Sequence, residues 1–292
     1  MRLLPLLLLC CAPALPAEDE GGLDQPLTSF RAKQLREEGA KHWAASAAAR
    51  EQLAAKQAVD PANAAAALDA VELALARLEQ ALELEWDAAA NKVAADAARA
   101  WFALRPLAPA PPEREAAKRR ARRVADVRRF ALEHGAARRF ESLFQRCTRC
   151  DGRGVMPPAF QGKPPPCPAC RQQGRLPVRK GILAARWFSH SPVYRDDASN
   201  ARTVDRELRV AANDPTQLGP FVKSLAVDGE VEDHDTWARV TVREKLAREP
   251  GEKPEERKTV LTVFRVGDRW YLWERRFDDA LVAIPQEGGG GA

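Results

Sequence analysis

Cysteine is scarce in this chain: six in 292 residues, with Cys10 and Cys11 in the opening stretch and only four elsewhere. Methionine and tyrosine number two each and histidine four. Several catalytic signatures are missing. There is no Gly-x-Ser-x-Gly elbow, no glycine-rich phosphate loop and no His-Glu-x-x-His pair. Elbow-type hydrolysis, P-loop nucleotide chemistry and zincin-type proteolysis therefore have no motif to rest on. Beyond the first residues no apolar run approaches the 18 or so that a membrane helix needs, so the mature chain is expected to have no membrane span.

The opening "MRLLPLLLLCCAPALPAEDE" sets one Arg before a leucine run, then small residues, then acids. That is the layout of a secretory leader over residues 1–17, cleaved after Ala14 or Ala17, with a short N-terminal anchor as the alternative. It implies export to a periplasm or the exterior, with residues 18–26 as a polar linker. Net charge is +5, from 46 Lys and Arg against 41 Asp and Glu, and Arg outnumbers Lys by 35 to 11. A GC-rich genome produces that bias as readily as nucleic-acid binding does, and export argues against a nucleic-acid partner.

Residues 27–105 are rich in Ala, Leu, Glu and Gln, all good helix formers. Asp60 and Pro61 form a start signal, the carboxylate as cap and the proline at the first helical position. From there Leu68, Val71, Leu75, Leu78 and Leu82 fall on one face. A second helix stacks Trp86, Val93, Ala97 and Trp101, and 29–58 is a further amphipathic segment. The expectation is a helical hairpin or small bundle. Prolines at 105–112 break it. A basic helix is then expected over 113–146, carrying ten Lys or Arg between Arg114 and Arg139, with Ala117, Ala121, Val124, Val127 and Ala131 as its buried stripe. Its cations form either an anionic-partner site at 114–139 or a solvated face; no aromatic interleaves them for base stacking.

The central stretch "CTRCDGRGVMPPAFQGKPPPCPAC" places two Cys-x-x-Cys knuckles on a hairpin over 147–176. Four thiolates, from Cys147, Cys150, Cys167 and Cys170, make a closed tetrahedral shell for one structural zinc ion. Disulfides, favoured by an oxidising compartment, and a redox-active thiol pair are the alternatives.

Cys147-Thr-Arg-Cys150-Asp-Gly152-Arg-Gly154 resembles the Cys-x-x-Cys-x-Gly-x-Gly repeat of the DnaJ-type chaperone cysteine-rich region. The second knuckle has Gln172 where that family has glycine, and keeps Gly174. The likeness covers roughly 30 residues and implies a zinc-holding hairpin. With no His-Pro-Asp tripeptide anywhere, it does not imply a J-domain activity.

From 181 to 284 the pattern turns to short helices, one of them starting near Ser199, followed by four strand-like segments. The last two flank a tight turn at Gly267-Asp268. The ending "VFRVGDRWYLWE" resembles the nuclear transport factor 2-like, or SnoaL-like, fold, which implies a cone-shaped α+β domain with a curved antiparallel sheet. Some members of that fold bind apolar ligands or catalyse isomerisation or hydrolysis. The residues that would line such a pocket are Trp187, His190, Tyr194, Trp237, Trp270 and Trp273, with Asp196, Asp197, His234 and Asp235 as acid–base candidates. No two carboxylates are marked for one inward face. Residues 285–292 read as a flexible tail. The whole reads as an α+β protein of three parts, a zinc-binding scaffold with a protein partner rather than an enzyme; a pocket enzyme or carrier, and thiol redox or holdase activity, are the rival functions.

Overall fold

The computed structural model describes residues 25–110, 112–158, 162–193, 206, 207, 209–211 and 215–285. The leader, most of the 18–26 linker, Tyr194, Asp196, Asp197, Ser199 and the end of the tail lie outside them. The fold is α+β. Among the described residues no helix is long and apolar enough to cross a membrane.

The helical region comprises α1 (Gln25–Ala45), α2 (Ala47–Ala54), α3 (Pro61–Leu84) and α4 (Ala88–Leu104). Asp60 caps α3, its Oδ1 accepting from the backbone N–H of Ala62 and Asn63 at 2.9 and 3.2 Å. Asp87 caps α4 in the same way through Ala90, at 2.7 Å. Gly39 lets α1 lie close on α3; a Cβ there would be 2.8 Å from Leu78 Cγ. The expected single segment 29–58 is two helices. Ser46 marks the break: its Oγ donates to Trp43 O at 2.8 Å, and the Arg50 guanidinium folds back over the Trp43 ring. A hydroxyl that bonds the backbone in this way competes with helix continuation.

The basic helix α5 (Glu113–Ala137) is shorter than the sequence suggests. Arg139 turns extended, a four-residue turn α6 (Phe140–Leu143) follows, and the chain enters β1 (Phe144–Arg146). Two side chains favour the stop. Ser142 Oγ donates to the Ala136 carbonyl at the helix end, and Arg138 leaves the helix to meet Glu244 at 2.7 Å. Ala117 and Ala121 are exposed rather than buried, because α5 meets the sheet only from its middle; Val127 and Ala131 are fully buried.

β1 pairs antiparallel with β2 (Arg175–Pro177), and these short strands form the base of the cysteine hairpin. The chain continues through α7 (Arg179–Leu183) into one π-helical turn, Ala184–Phe188. The main sheet is an antiparallel meander, β3 (Phe221–Asp233), β4 (Trp237–Ala247), β5 (Glu255–Val266) and β6 (Arg269–Leu272), with the expected Gly267-Asp268 turn. It is not closed into a barrel. The last strand-like segment stops at Leu272 and becomes a helical turn, Arg275–Asp278, where Asp278 accepts from the backbone N–H of Glu274.

Strand alternation gives the sheet two buried faces. Ala238, Val240, Val242, Val263 and Trp270 pack against Val127 and Ala131 of α5. On the opposite face Phe264, Val266 and Tyr271 join Trp187, Phe188 and the α3–α4 face in a second core. The helical region and the meander thus share a core rather than standing as two independent ones. Gly135 allows the close seat of α5, since a Cβ there would be 2.4 Å from Leu225 Cδ1.

Candidate metal centre and cleft

Cys147, Cys150, Cys167 and Cys170 are buried, and their four Sγ atoms lie within 4.8 Å of one another. Sγ of Cys147 is 3.9 Å from that of Cys167, and Sγ of Cys150 is 3.6 Å from that of Cys170. Sulfurs about 2.3 Å from a common tetrahedral centre stand about 3.8 Å apart, so the spacing fits a metal and is well beyond a covalent S–S bond. No disulfide joins them.

The two knuckles repeat each other in their bonds to sulfur and in their bonds across the hairpin. The backbone N–H of Gly154 points at Cys150 Sγ, and that of Gly174 at Cys170 Sγ, both at 3.3 Å. Across the hairpin, Cys147 N donates to Gly174 O and Cys167 N to Gly154 O, both at 2.9 Å. Backbone donors aimed at sulfur stabilise thiolate, the form a metal takes. The Cys170 N–H lowers the Cys167 thiol to about 7, whereas burial pushes the Cys170 thiol up to about 12. Four cysteines of this geometry could hold one tetrahedral metal ion and would leave it no open position.

The pocket expected from sequence is not drawn together in one place. Trp187 is buried in the core shared with α3 and α4. His190 follows the π-turn, its main chain bridged to Leu272. Trp237 stacks on His234 with ring centroids 3.8 Å apart, and His234 Nε2 meets Glu232 at 2.6 Å. Asp235 pairs with Arg105, Arg123 and Arg265. Trp273 Nε1 donates to Val282 O at 3.3 Å. Of the described pocket residues, only Trp270 lines the large cleft.

That cleft, about 920 Å³, lies between α3 and α5 and is closed at one side by the β5–β6 turn and the π-turn. Its size is that of a ligand site. Phe130, Phe188, Trp270 and Tyr271 supply apolar surface, and acids from α3, α5 and the turn supply the walls. Buried Glu79, 1% exposed, accepts from the Tyr271 hydroxyl and pairs with Arg269, which also meets Glu83 at 3.3 Å. Glu72 accepts from Trp101 Nε1 at 2.8 Å. Burial, and the neighbouring Asp268 and Asp69, raise its carboxyl above the usual range.

One cleft pair resembles catalytic machinery: His134 Nδ1 stands 3.0 Å from Ser189 Oγ. Burial, then the charges of Arg138 and His190, depress the His134 imidazole to about 3. A base that weak does not draw a proton from serine near neutrality, and Ser189 Oγ also donates to Ala184 O at 3.3 Å. The pair behaves as a buried polar link between α5 and the π-turn.

Sequence reading missed His134, Ser189, Glu72, Glu79 and Tyr271. The one readable signal was the acid spacing on α3, where Asp69, Glu72, Glu79 and Glu83 recur on a single face. Of the cations on α5, Arg123 meets Asp233 at 2.7 Å and Arg129 meets Asp126 at 2.8 Å, while Lys118, Arg119 and Arg122 remain exposed on its first half. Comparison with family models, curated proteins and solved structures returned no match.

Proposed function

We propose that this chain is an exported, non-catalytic scaffold or interaction protein, stapled by one structural zinc ion. The observation that carries the reading is the closed sulfur tetrad. Four buried ligands fill a tetrahedral shell, so the metal stabilises the hairpin and has no vacant position for chemistry. Export is supported by the leader-like run at residues 1–17. The low basicity of His134 supports the non-catalytic assignment. The DnaJ-type likeness of the first knuckle supports the choice of zinc. The Gly267 turn and aromatic last strand support a nuclear transport factor 2-like reading of the meander.

The test is zinc content and thiol titre on natively purified protein. One zinc per chain, with four thiols that react only after unfolding with a chelator, is the expected result. Absence of both metal and free thiols would replace the zinc by disulfides. Two fast-reacting thiols without zinc would make the hairpin a redox site.

A further inference from the structure

The α3–α5 cleft has a composition at odds with the rest of the chain. The protein carries net charge +5, yet among the described residues seven carboxylates and three Lys or Arg side chains line this cavity. Two of those cations are already held: Arg129 by Asp126, and Arg269 by Glu79 and Glu83. Asp69, Glu72 and Asp268 make no ion pair among the described residues, although the Arg265 charge acts on Glu72 and Asp268 from a greater distance. Like charges packed this way repel, and an incoming cation relieves that repulsion.

Two further observations restrict what the cation is. Among the described residues only the cysteines bring three potential metal-binding atoms close together, so the cleft carboxylates are spread along the cavity rather than gathered around one ion. Between them the surface is apolar, with Phe130 and Trp270 set back and Leu73 47% exposed at the edge. A suitable occupant alternates positive and apolar groups. The α3 wall from Asp69 to Glu83 spans about 21 Å at 1.5 Å per helical residue, the reach of roughly six extended residues.

The geometry points to this cleft as the docking site of an extended basic peptide segment of a partner protein, its Lys or Arg side chains at the acidic walls and its apolar side chains over Leu73 and Phe130. This gives the scaffold reading a binding site and a class of partner, and rests on that reading for its physiological sense.

The test is fluorescence anisotropy on the full, zinc-loaded chain with a labelled eight-residue peptide alternating lysine and leucine. Binding is expected to weaken about tenfold in the double variant Asp69→Asn with Asp268→Asn, two exposed positions whose far-UV spectrum should match the parent. It should also weaken with added salt and fall several-fold in Leu73→Ser. Equal affinity for a glutamate–leucine peptide, or no effect of the double variant, overturns the site. Competition by spermine as strong as that of the peptide overturns the peptide class in favour of a small polyamine. Zinc is measured on the same samples, so the two readings fail separately. Zinc-loaded protein that ignores the peptide sinks the cleft alone, and metal-poor protein that binds it sinks the zinc alone.

Discussion

Gln172 and Gly152 hold equivalent positions in the two knuckles and share the same backbone φ, +73°. Glycine takes that conformation freely, whereas a residue with a Cβ is strained there. The departure of the second knuckle from the glycine pattern thus leaves its backbone shape intact and costs conformational energy. Gln172→Gly should stabilise the zinc-loaded protein by about 0.5–1 kcal/mol, read as an upward shift in thermal midpoint. No shift, or a downward one, would mean that the Gln172 side chain makes a compensating contact.

Gly154 and Gly174 should tolerate no such exchange. A Cβ on Gly154 would sit 2.3 Å from Gln172 O, and one on Gly174 2.3 Å from Gly152 O. These are backbone atoms on both sides, so neither can swing away. Gly174→Ala is expected to lower retained zinc well below one per chain and to expose thiols in the folded protein. Full zinc occupancy in that variant would contradict the knuckle geometry.

His134 makes stability depend on pH. Its imidazole titrates near 3 in the fold against about 6.5 unfolded. The unfolded chain therefore binds the proton first, and the contribution is complete above pH 6.5 and is lost as pH falls towards 3, by up to about 1.4 kcal/mol per pH unit. Asp278 acts in the opposite sense. Burial raises its carboxyl to about 6, so its folded form takes up the proton first and stability rises as pH falls from 6 towards 4. Urea unfolding between pH 4 and 7 should show a steeper acid loss in Asp278→Asn and a shallower one in His134→Gln. Parallel pH profiles for both variants and the parent would refute these assignments.

Glu79 anchors the helices to the sheet through Tyr271 and Arg269. Glu79→Ala would leave a buried hydroxyl without its acceptor and a cation without its nearest counter-charge. A loss on the order of 3 kcal/mol is expected, measured by denaturant midpoint. Glu83→Ala, half-exposed beside the same arginine, should cost under about 1 kcal/mol. Equal losses would show that the buried network carries no special weight.

The legible parts of this fold were those written in local pattern. The α3 start is carried by Asp60-Pro61, the β5–β6 turn by Gly267-Asp268, and the tetrad by two knuckles of fixed spacing; each depends on neighbours a few residues away. The cleft depends on pairings across long sequence separations. His134 stands in a helix dominated by arginine, and its partner Ser189 is 55 residues further on. Glu79 reads as one more polar residue of α3 until Tyr271, 192 residues away, is set against it. The end of α5 is hidden from the sequence for a related reason. Nothing in "AARRFESLF" forbids helix, and the stop comes from Glu244 drawing Arg138 aside and from β2 pairing with β1.

The short ladder at the foot of the cysteine hairpin bears on how the chain finds this arrangement. The excursion between Arg146 and Arg175 leaves the body and returns to the same spot. Closing a flexible loop of roughly 30 residues costs about 3.6 kcal/mol of chain entropy. With metal on the knuckles that closure is made locally, before any strand of the large sheet must pair. The ends of α5 and the start of α7 then behave as near neighbours in the chain. Metal uptake would accordingly raise the folding rate more than it lowers the unfolding rate, making the hairpin a shortcut in the search as well as a fastening in the finished structure.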